Sequence, residues 1–271
     1  MLIRLGYDIS FDVPYGATFV VLLRVHPLRQ LDLETADLIN VSQDVPVDYF
    51  DDSFGNLAAR FEASVGSVSL TCSTIAHDSG EFDQIAPEAG ELPVARLPTE
   101  VLPYLLNSRY CEVDLLSPVA AELFGQAAPG WSRVQSICDW TKAHIVFDYQ
   151  RARPTKSALD VFTERVGVCR DFQHLAITFC RALNIPARYA TGYLGDIGVP
   201  AAPYPMDFSA WFEAYLGDRW YTFDARHSQP RIGRVLMATG RDATDVAITT
   251  TFGQVTLTKF SVVTEELGGA P

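Results

Sequence analysis

The chain has 271 residues, of which 48% are hydrophobic, and its formal net charge at pH 7 is −12. This length favours two domains, and the hydrophobic fraction is large enough for a buried core. The acidic charge repels phosphate groups, so we expect neither nucleic acid nor an anionic membrane as a partner.

The cysteines and the N-terminus indicate the compartment. The cysteines are odd in number and contain no CxxC pair, so we expect reduced thiols rather than a disulfide framework; they are Cys72, Cys111, Cys138, Cys169 and Cys180. The first residues, MLIRLGYDISFDVPYG, lack the continuous apolar core of a signal peptide. No apolar run reaches membrane-spanning length. We predict a soluble, cytoplasmic protein, and its oligomeric state stays open.

Residues 1–80 are predicted to form a β-rich domain. Short alternating segments such as ATFVVLLRV and GSVSLTCSTIA are separated by Gly, Pro and Asp-Ser breaks. This spacing is typical of a small antiparallel sandwich or barrel. Residues 81–98 are acidic and carry three prolines, which predicts a surface linker. A second domain is then expected over residues 99–265.

Helical spacing marks the first half of this second domain. It recurs at residues 101–106, 118–124, 131–147 and 158–164. A longer helix is predicted within VGVCRDFQHLAITFCRAL, residues 166–183, because its apolar residues share one helical face; they are Phe172, Leu175, Ala176, Phe179 and Leu183.

Cys169 lies at the first turn of this predicted helix. The unpaired N–H groups and the positive end of the helix dipole favour a thiolate there, and Arg170 adds a positive charge. The alternative is a small buried hydrophobic residue, which is the commonest role of a free cysteine. Asp171 and Gln173 are expected to cap the helix or face solvent. His174 lies roughly 140° around the helix from Cys169 and should point away from the thiol.

The second half of this domain is predicted to consist of strands. They are expected at residues 185–193, 208–216 and 219–223, and the last two are joined by a Gly217-Asp218 hairpin turn. The resulting register places Trp211 opposite Asp224, with Ser209 as the diagonal neighbour of Asp224. The segment ITTTFGQVTLTKFSVV predicts a final strand pair.

The segments GVCRDFQHLAITFCRALNIPARYATGYL and DFSAWFEAYLGDRWYTFDARH closely resemble the bacterial transglutaminase-like proteins, which are related to transglutaminases and papain-like cysteine proteases. The resemblance spans residues 131–227, and the β-rich first part resembles the N-terminal domain that these proteins often carry. It implies an α+β fold, with a β-rich, sandwich-like N-terminal domain followed by a transglutaminase/papain-like cysteine-protease α+β domain.

The resemblance also implies site residues. Cys169 matches the nucleophile of the family, and Asp224 matches the acid that orients the base. The position of the basic histidine is occupied by Ser209, whose hydroxyl cannot take a thiol proton near neutral pH as an imidazole can. We predict that Ser209 and Trp211 contact the substrate, although a tryptophan on such a hairpin is most often a core residue.

His227 is the provisional replacement for this base. In a regular strand it would point to the face opposite Asp224, because side chains alternate. If the strand ends in a turn at Ala225-Arg226, the imidazole can fold back toward Asp224 and fill the space that Ser209 leaves. The alternatives are that His227 is an ordinary exposed loop residue and that Arg226 pairs with Asp224.

These residues predict a cysteine-dependent acyl hydrolase or transferase, a peptidase or amidase of transglutaminase-like type, that forms a thioester on Cys169. Its substrate would be a peptide or an amide. No metal or organic cofactor is expected, because the sequence lacks the corresponding motifs. One alternative is a catalytically inactive binding module, since Ser209 occupies the histidine position of the family. Another is a structural or assembly protein whose β-rich domain supplies the interface.

Overall fold

A computed structural model describes residues 1–203 and 205–268 of the chain. The helices are α1 (Val113–Phe124), α2 (Trp131–His144), α3 (Ala158–Glu164) and α4 (Cys169–Ala182). The strands are β1 (Leu2–Val13), β2 (Ala17–Val21), β3 (Asn40–Val41), β4 (Asp48–Asp51), β5 (Leu57–Ala63), β6 (Gly66–His77), β7 (Val146–Phe147), β8 (Val166–Gly167), β9 (Ala187–Leu194), β10 (Ser209–Leu216), β11 (Arg219–Phe223), β12 (Arg234–Gly240), β13 (Thr249–Phe252) and β14 (Thr256–Leu267). Short 3₁₀ turns lie at Pro27–Asp32, Val94–Arg96, Thr99–Leu105 and Tyr149–Arg151.

The β-rich part is a sandwich of two antiparallel sheets, ordered β14-β1-β6-β3 and β13-β2-β5-β4. Alternate residues of β1 are buried, as the alternating sequence predicts. They share one apolar core with the second sheet, where the rings of Phe19 and Phe61 stack with their centroids 5.0 Å apart. The predicted sandwich is therefore confirmed.

The last two strands belong to this sandwich. β13 pairs with β2 and β14 pairs with β1, so the two strands lie in different sheets. The expectation that they pair with each other is wrong, because alternation identifies a buried face but carries no information about the partner strand. The sequence assigned residues 249–265 to the second domain, whereas these pairings place β13 and β14 in the β-rich unit.

The remainder of the chain combines helices with an antiparallel sheet of order β11-β10-β9-β12. Helix α4 packs on β9 and β10, and α1, α2 and α3 pack around α4. A second apolar core fills the space between them. The predicted helix over residues 131–147 ends earlier, at His144, and its last residues form β7, which pairs in parallel with β8. The mixed α+β class is confirmed.

The β10–β11 hairpin has the predicted register. Phe212 lies opposite Phe223, and Tyr215 lies opposite Trp220. Because β10 also pairs with β9, the hairpin is fixed against the sheet that supports α4. This arrangement brings the end of β11 to the N-terminal end of α4.

Candidate active site

Cys169 is the first residue of α4. The helix start is fixed by Asp171, whose fully buried carboxylate accepts a hydrogen bond of 2.9 Å from the backbone nitrogen of Val168. Gly167 allows this close packing, since a Cβ at that position would lie 2.7 Å from the Cβ of Asp171. Asp171 therefore caps the helix, as expected, and holds the thiol at its first turn.

The thiol of Cys169 is half-buried. Burial raises its pKa to about 11, and the carboxylate of Asp207 acts in the same direction. The guanidinium of Arg226 and the backbone N–H of Arg170 act against this rise. The sulfur is therefore protonated near neutral pH, so a base has to remove its proton before it can act as a nucleophile.

The turn after β11 brings His227 back to Asp224. Oδ1 of Asp224 accepts hydrogen bonds from the backbone nitrogens of Arg226 and His227, at 2.9 and 3.1 Å. Oδ2 lies 2.9 Å from Nδ1 of the His227 ring. On the other side, Nζ of Lys142 donates to the backbone oxygen of His227 across 2.6 Å. Of the two geometries considered for His227, the structure has the one in which the imidazole folds back.

Asp224 is buried and ionised. Burial alone would raise its pKa, but the hydrogen bond from His227 and the charge of Arg234 outweigh burial and hold the pKa well below its usual range. The Arg234 guanidinium lies 3.0 Å from Oδ2. Arg226 was the expected alternative partner, but its guanidinium lies over the ring of Phe147, 3.8 Å from the centroid. Arg234 is therefore the arginine that pairs with Asp224.

Gln173 was expected to cap the helix or face solvent, and this is wrong. Its side chain is completely buried. Its nitrogen Nε2 lies 3.2 Å both from Oδ1 of Asp224 and from the backbone oxygen of Ala210, and its Oε1 accepts a hydrogen bond from the backbone nitrogen of Ala225. The signal in the sequence was its position four residues after Cys169, which places both side chains on one helix face.

The other sequence-predicted residues lie at different depths. Ser209 is half-buried, and its backbone oxygen accepts a hydrogen bond from Thr191. Trp211 is only 2% exposed, and the Cζ atom of Arg234 lies over its ring, 5.1 Å from the ring centroid. His174 is buried among aromatic rings, and its Nε2 accepts a hydrogen bond from the backbone of Ala243. His174 is thus part of the core.

Two cavities open onto Cys169. The first has a volume of about 430 Å³ and includes His227 in its wall, whereas the second has a volume of about 590 Å³ and does not. Ser209 lines both cavities, and Trp211 lines neither. The residues common to both walls are Cys169, Asp207, Phe208 and Ser209. The thiol therefore lies where the two cavities meet.

Residues 1–203 and 205–268 contain no group of three or more His, Cys, Asp or Glu residues arranged to hold a metal ion. None of the helices in these ranges is long and apolar enough to cross a bilayer.

Comparison with known proteins relates this site to a family. The sequence model of the transglutaminase-like superfamily matches residues 118–225. A crystal structure of a candidate cysteine protease from Cytophaga hutchinsonii is 32% identical, covers 100% of this chain and 92% of its own, and has a TM-score of 0.84.

More distant matches cover less of the chain or share only part of its geometry. An uncharacterized protein of Mycobacterium leprae is 34% identical over 117 residues, and this match spans 42% of each of the two chains. The periplasmic domain of TgpA from Pseudomonas aeruginosa is 13% identical, covers 83% of this chain and 88% of its own, and has a TM-score of 0.40.

Proposed function

Because the chain belongs to the transglutaminase-like superfamily, we propose that it is a cysteine-dependent acyl hydrolase or transferase acting on a peptide or amide. Cys169 is the nucleophile, His227 is the base, and Asp224 orients the base. The observation that carries this proposal is the 2.9 Å contact between Nδ1 of His227 and the buried carboxylate of Asp224, in the wall of a cavity that Cys169 also lines.

The contact with Asp224 assigns roles to the two ring nitrogens of His227. Because the Asp224 carboxylate is ionised, it accepts a hydrogen bond, so Nδ1 carries the proton and Nε2 is left as the proton acceptor. The thiol is protonated in the resting protein, with a pKa of about 11. His227 therefore acts as a general base during the attack rather than by holding a preformed thiolate.

The reaction then follows the order of bond changes in acyl transfer. The sulfur of Cys169 bonds to the carbonyl carbon as its proton passes to Nε2 of His227, and the backbone N–H of Cys169 donates to the resulting oxyanion. The carbon–nitrogen bond breaks, and the leaving amine takes the proton from His227. Water or a second amine then attacks the thioester carbon as its proton passes to Nε2 of His227. The carbon–sulfur bond breaks, and the sulfur takes this proton back from His227.

Ser209 and Trp211 have different proposed roles. Ser209 lines both cavities beside the thiol, so its hydroxyl is proposed to contact the substrate. Trp211 is buried under Arg234, so it is proposed to support the pair of Arg234 and Asp224 without touching the substrate. The location is proposed to be the cytoplasm, in line with five cysteines that are all free.

A second candidate is a binding module without turnover. It is favoured by Ser209 at the position of the family histidine and by the high pKa of the Cys169 thiol. This protein would bind a peptide or amide in the same cavities and leave it intact.

Trapping of an acyl-enzyme separates the two candidates. The protein is mixed with p-nitrophenyl acetate, and the acetyl group is located by peptide mass spectrometry in wild type and in Cys169→Ala, His227→Ala and His77→Ala. His77 is the control, an exposed histidine in β6 that pairs with Glu34. We expect acetylation at Cys169, slowed about 10²–10⁴-fold by His227→Ala and unchanged by His77→Ala. Absence of acetyl on Cys169, or equal rates in the two histidine variants, would overturn the proposal.

A further inference from the structure

The two cavities that meet at Cys169 differ in chemistry. The first contains His227 and is charged; its other charged residues, in the part of the chain that the structure describes, are Lys142, Asp196, Asp207, Arg226 and Arg231. The second is lined mainly by apolar side chains, with Arg170 and Asp207 as its only charged residues in the part of the chain that the structure describes. The thiol thus separates a polar space from an apolar one.

The β sandwich supplies one wall of the second cavity. Ile9 and Phe11 come from β1, and Leu257 and Phe260 come from β14. Leu257 and Phe260 are 53% and 42% exposed, although both are large apolar side chains. Phe260 also contacts Phe208 edge to face, 6.0 Å away, and Phe208 lines both cavities. Apolar side chains of the sandwich therefore reach Phe208, which lines both cavities together with Cys169.

The guanidinium of Arg170 already has hydrogen-bond partners within the protein. It donates to the backbone oxygen of Arg153 and contacts the carboxylate of Asp171. An anionic group in the second cavity would have to displace these partners from Arg170. It would also lose its hydration shell beside an apolar wall. The second cavity therefore favours an uncharged, apolar occupant.

The position of His227 determines on which side of the thiol each part of the substrate lies. In the proposed reaction, the leaving amine takes its proton from His227, so the amine has to lie on the same side of the thiol as this residue. His227 lines the first cavity and not the second. The acyl group stays bonded to the sulfur, so it has to lie on the opposite side of the thiol, in the second cavity.

We propose that the second cavity binds the acyl part of the substrate, that this part carries an apolar side chain, and that the leaving amine lies in the first cavity. This inference rests on the proposed function. It makes the β-rich unit, through β1 and β14, part of the substrate-binding site.

The experiment uses two reagents that resemble only the acyl part. N-acetyl-phenylalanine chloromethyl ketone and N-acetyl-aspartate chloromethyl ketone alkylate a thiol when its sulfur displaces chloride, and neither carries a leaving amine. The rate of alkylation of Cys169 is measured by peptide mass spectrometry, and each rate is divided by that of iodoacetamide on the same variant. This normalisation removes changes in the reactivity of the thiol itself.

Four matched substitutions test which cavity binds the side chain of the reagent. Leu257→Asp and Phe260→Asp alter the wall of the second cavity, and Val199→Asp alters the wall of the first. Phe252→Asp is the control, since Phe252 is 65% exposed on β13 and lines neither cavity. All of these residues except Val199 are exposed enough for the folded state to accept a charge. Two different variants alter the wall of the second cavity, so the test still works if one of them does not fold.

We expect wild type to prefer the phenylalanine reagent about tenfold or more, and Leu257→Asp and Phe260→Asp to remove most of this preference. Val199→Asp and Phe252→Asp should keep it. Equal rates for the two reagents in wild type would overturn the proposal, and so would loss of the preference in Val199→Asp alone. Alkylation requires no turnover and no leaving amine. A preference for the phenylalanine reagent in a protein that forms no acyl-enzyme would therefore refute the proposed function but support an apolar site in the second cavity.

Discussion

The amide nitrogen of Gln173 lies 3.2 Å from Oδ1 of Asp224, and this contact joins the helix that begins at Cys169 to the turn of His227. The same side chain bonds to the backbone oxygen of Ala210 on β10 and to the backbone nitrogen of Ala225. One buried amide therefore fixes three elements that meet at the thiol. Its loss should affect both stability and the alignment of the site.

The first prediction concerns Gln173→Leu. This change keeps an apolar side chain of similar size but leaves the buried backbone groups of Ala210 and Ala225 without their partner. At about 1–3 kcal/mol for each of the two unsatisfied groups, we expect the free energy of unfolding to fall by about 2–6 kcal/mol, as measured by urea titration. Gln43→Leu is the control. Gln43 also makes three hydrogen bonds to backbone groups, but at an exposed site where water can replace them, so its loss should cost less than about 1 kcal/mol.

The second prediction concerns Arg234, which lies between two carboxylates. Its guanidinium contacts Asp224 at 3.0 Å and Asp83 at 2.8 Å, and its side chain is 7% exposed. Arg234→Met would remove the cation paired with the buried carboxylate of Asp224 and the half-buried carboxylate of Asp83, so we expect a loss of about 3–5 kcal/mol in the free energy of unfolding. Arg60→Met removes a pair with Asp48 whose side chains are more than half exposed, and the expected cost there is at most about 1 kcal/mol. Equal costs would contradict the prediction.

Several parts of the fold and the site follow from local sequence patterns. The helix of Cys169 was predictable because its apolar residues repeat at helical spacing, and the hairpin register because Gly217-Asp218 fixes the pairing of the strands on either side. The contact between His227 and Asp224 was one of two geometries that the sequence allowed. In each case the residues that decide the outcome are close together in the chain.

Other parts depend on contacts that the sequence does not encode locally. Arg234 follows an irregular stretch after Asp224, and no spacing rule relates the two residues. β14 was predicted as a strand, but its pairing with β1 joins residues about 250 positions apart, and this pairing creates the apolar wall near Cys169. Alternation and turn residues specify local geometry and cannot specify such long-range partners.

The third prediction concerns His174 and acid stability. Burial lowers the pKa of its imidazole to about 3 in the folded protein, against the opposing charge of Asp242, whereas an unfolded histidine has a pKa near 6.5. Between these values the unfolded chain binds a proton that the folded chain does not, so stability is retained above about pH 6.5 and falls as the pH is lowered. This group contributes a slope of up to about 1.4 kcal/mol per pH unit.

We therefore expect His174→Gln to reduce the pH dependence of the free energy of unfolding between pH 6 and 4, whatever its effect on absolute stability. Urea titrations at several pH values measure this slope. His144→Gln, at an exposed site in α2, serves as the control and should leave the slope as in wild type. A slope that is the same in all three proteins would show that His174 takes up its proton without unfolding.

The last prediction uses two charges that act on the Cys169 thiol in opposite directions. Asp207 raises the pKa of this thiol, and Arg226 lowers it. Asp207→Asn should therefore shift the pH profile of iodoacetamide alkylation at Cys169 to lower pH, and Arg226→Gln should shift it to higher pH. In wild type, whose thiol pKa is about 11, the rate should still be rising at pH 10, well above the pKa of a free cysteine. Peptide mass spectrometry between pH 7 and 10.5 gives these profiles.

Shifts of the same sign in the two variants would mean that a general opening of the site, rather than charge, sets the reactivity of the thiol. Opposite shifts would show that the thiol titrates in the field of both residues.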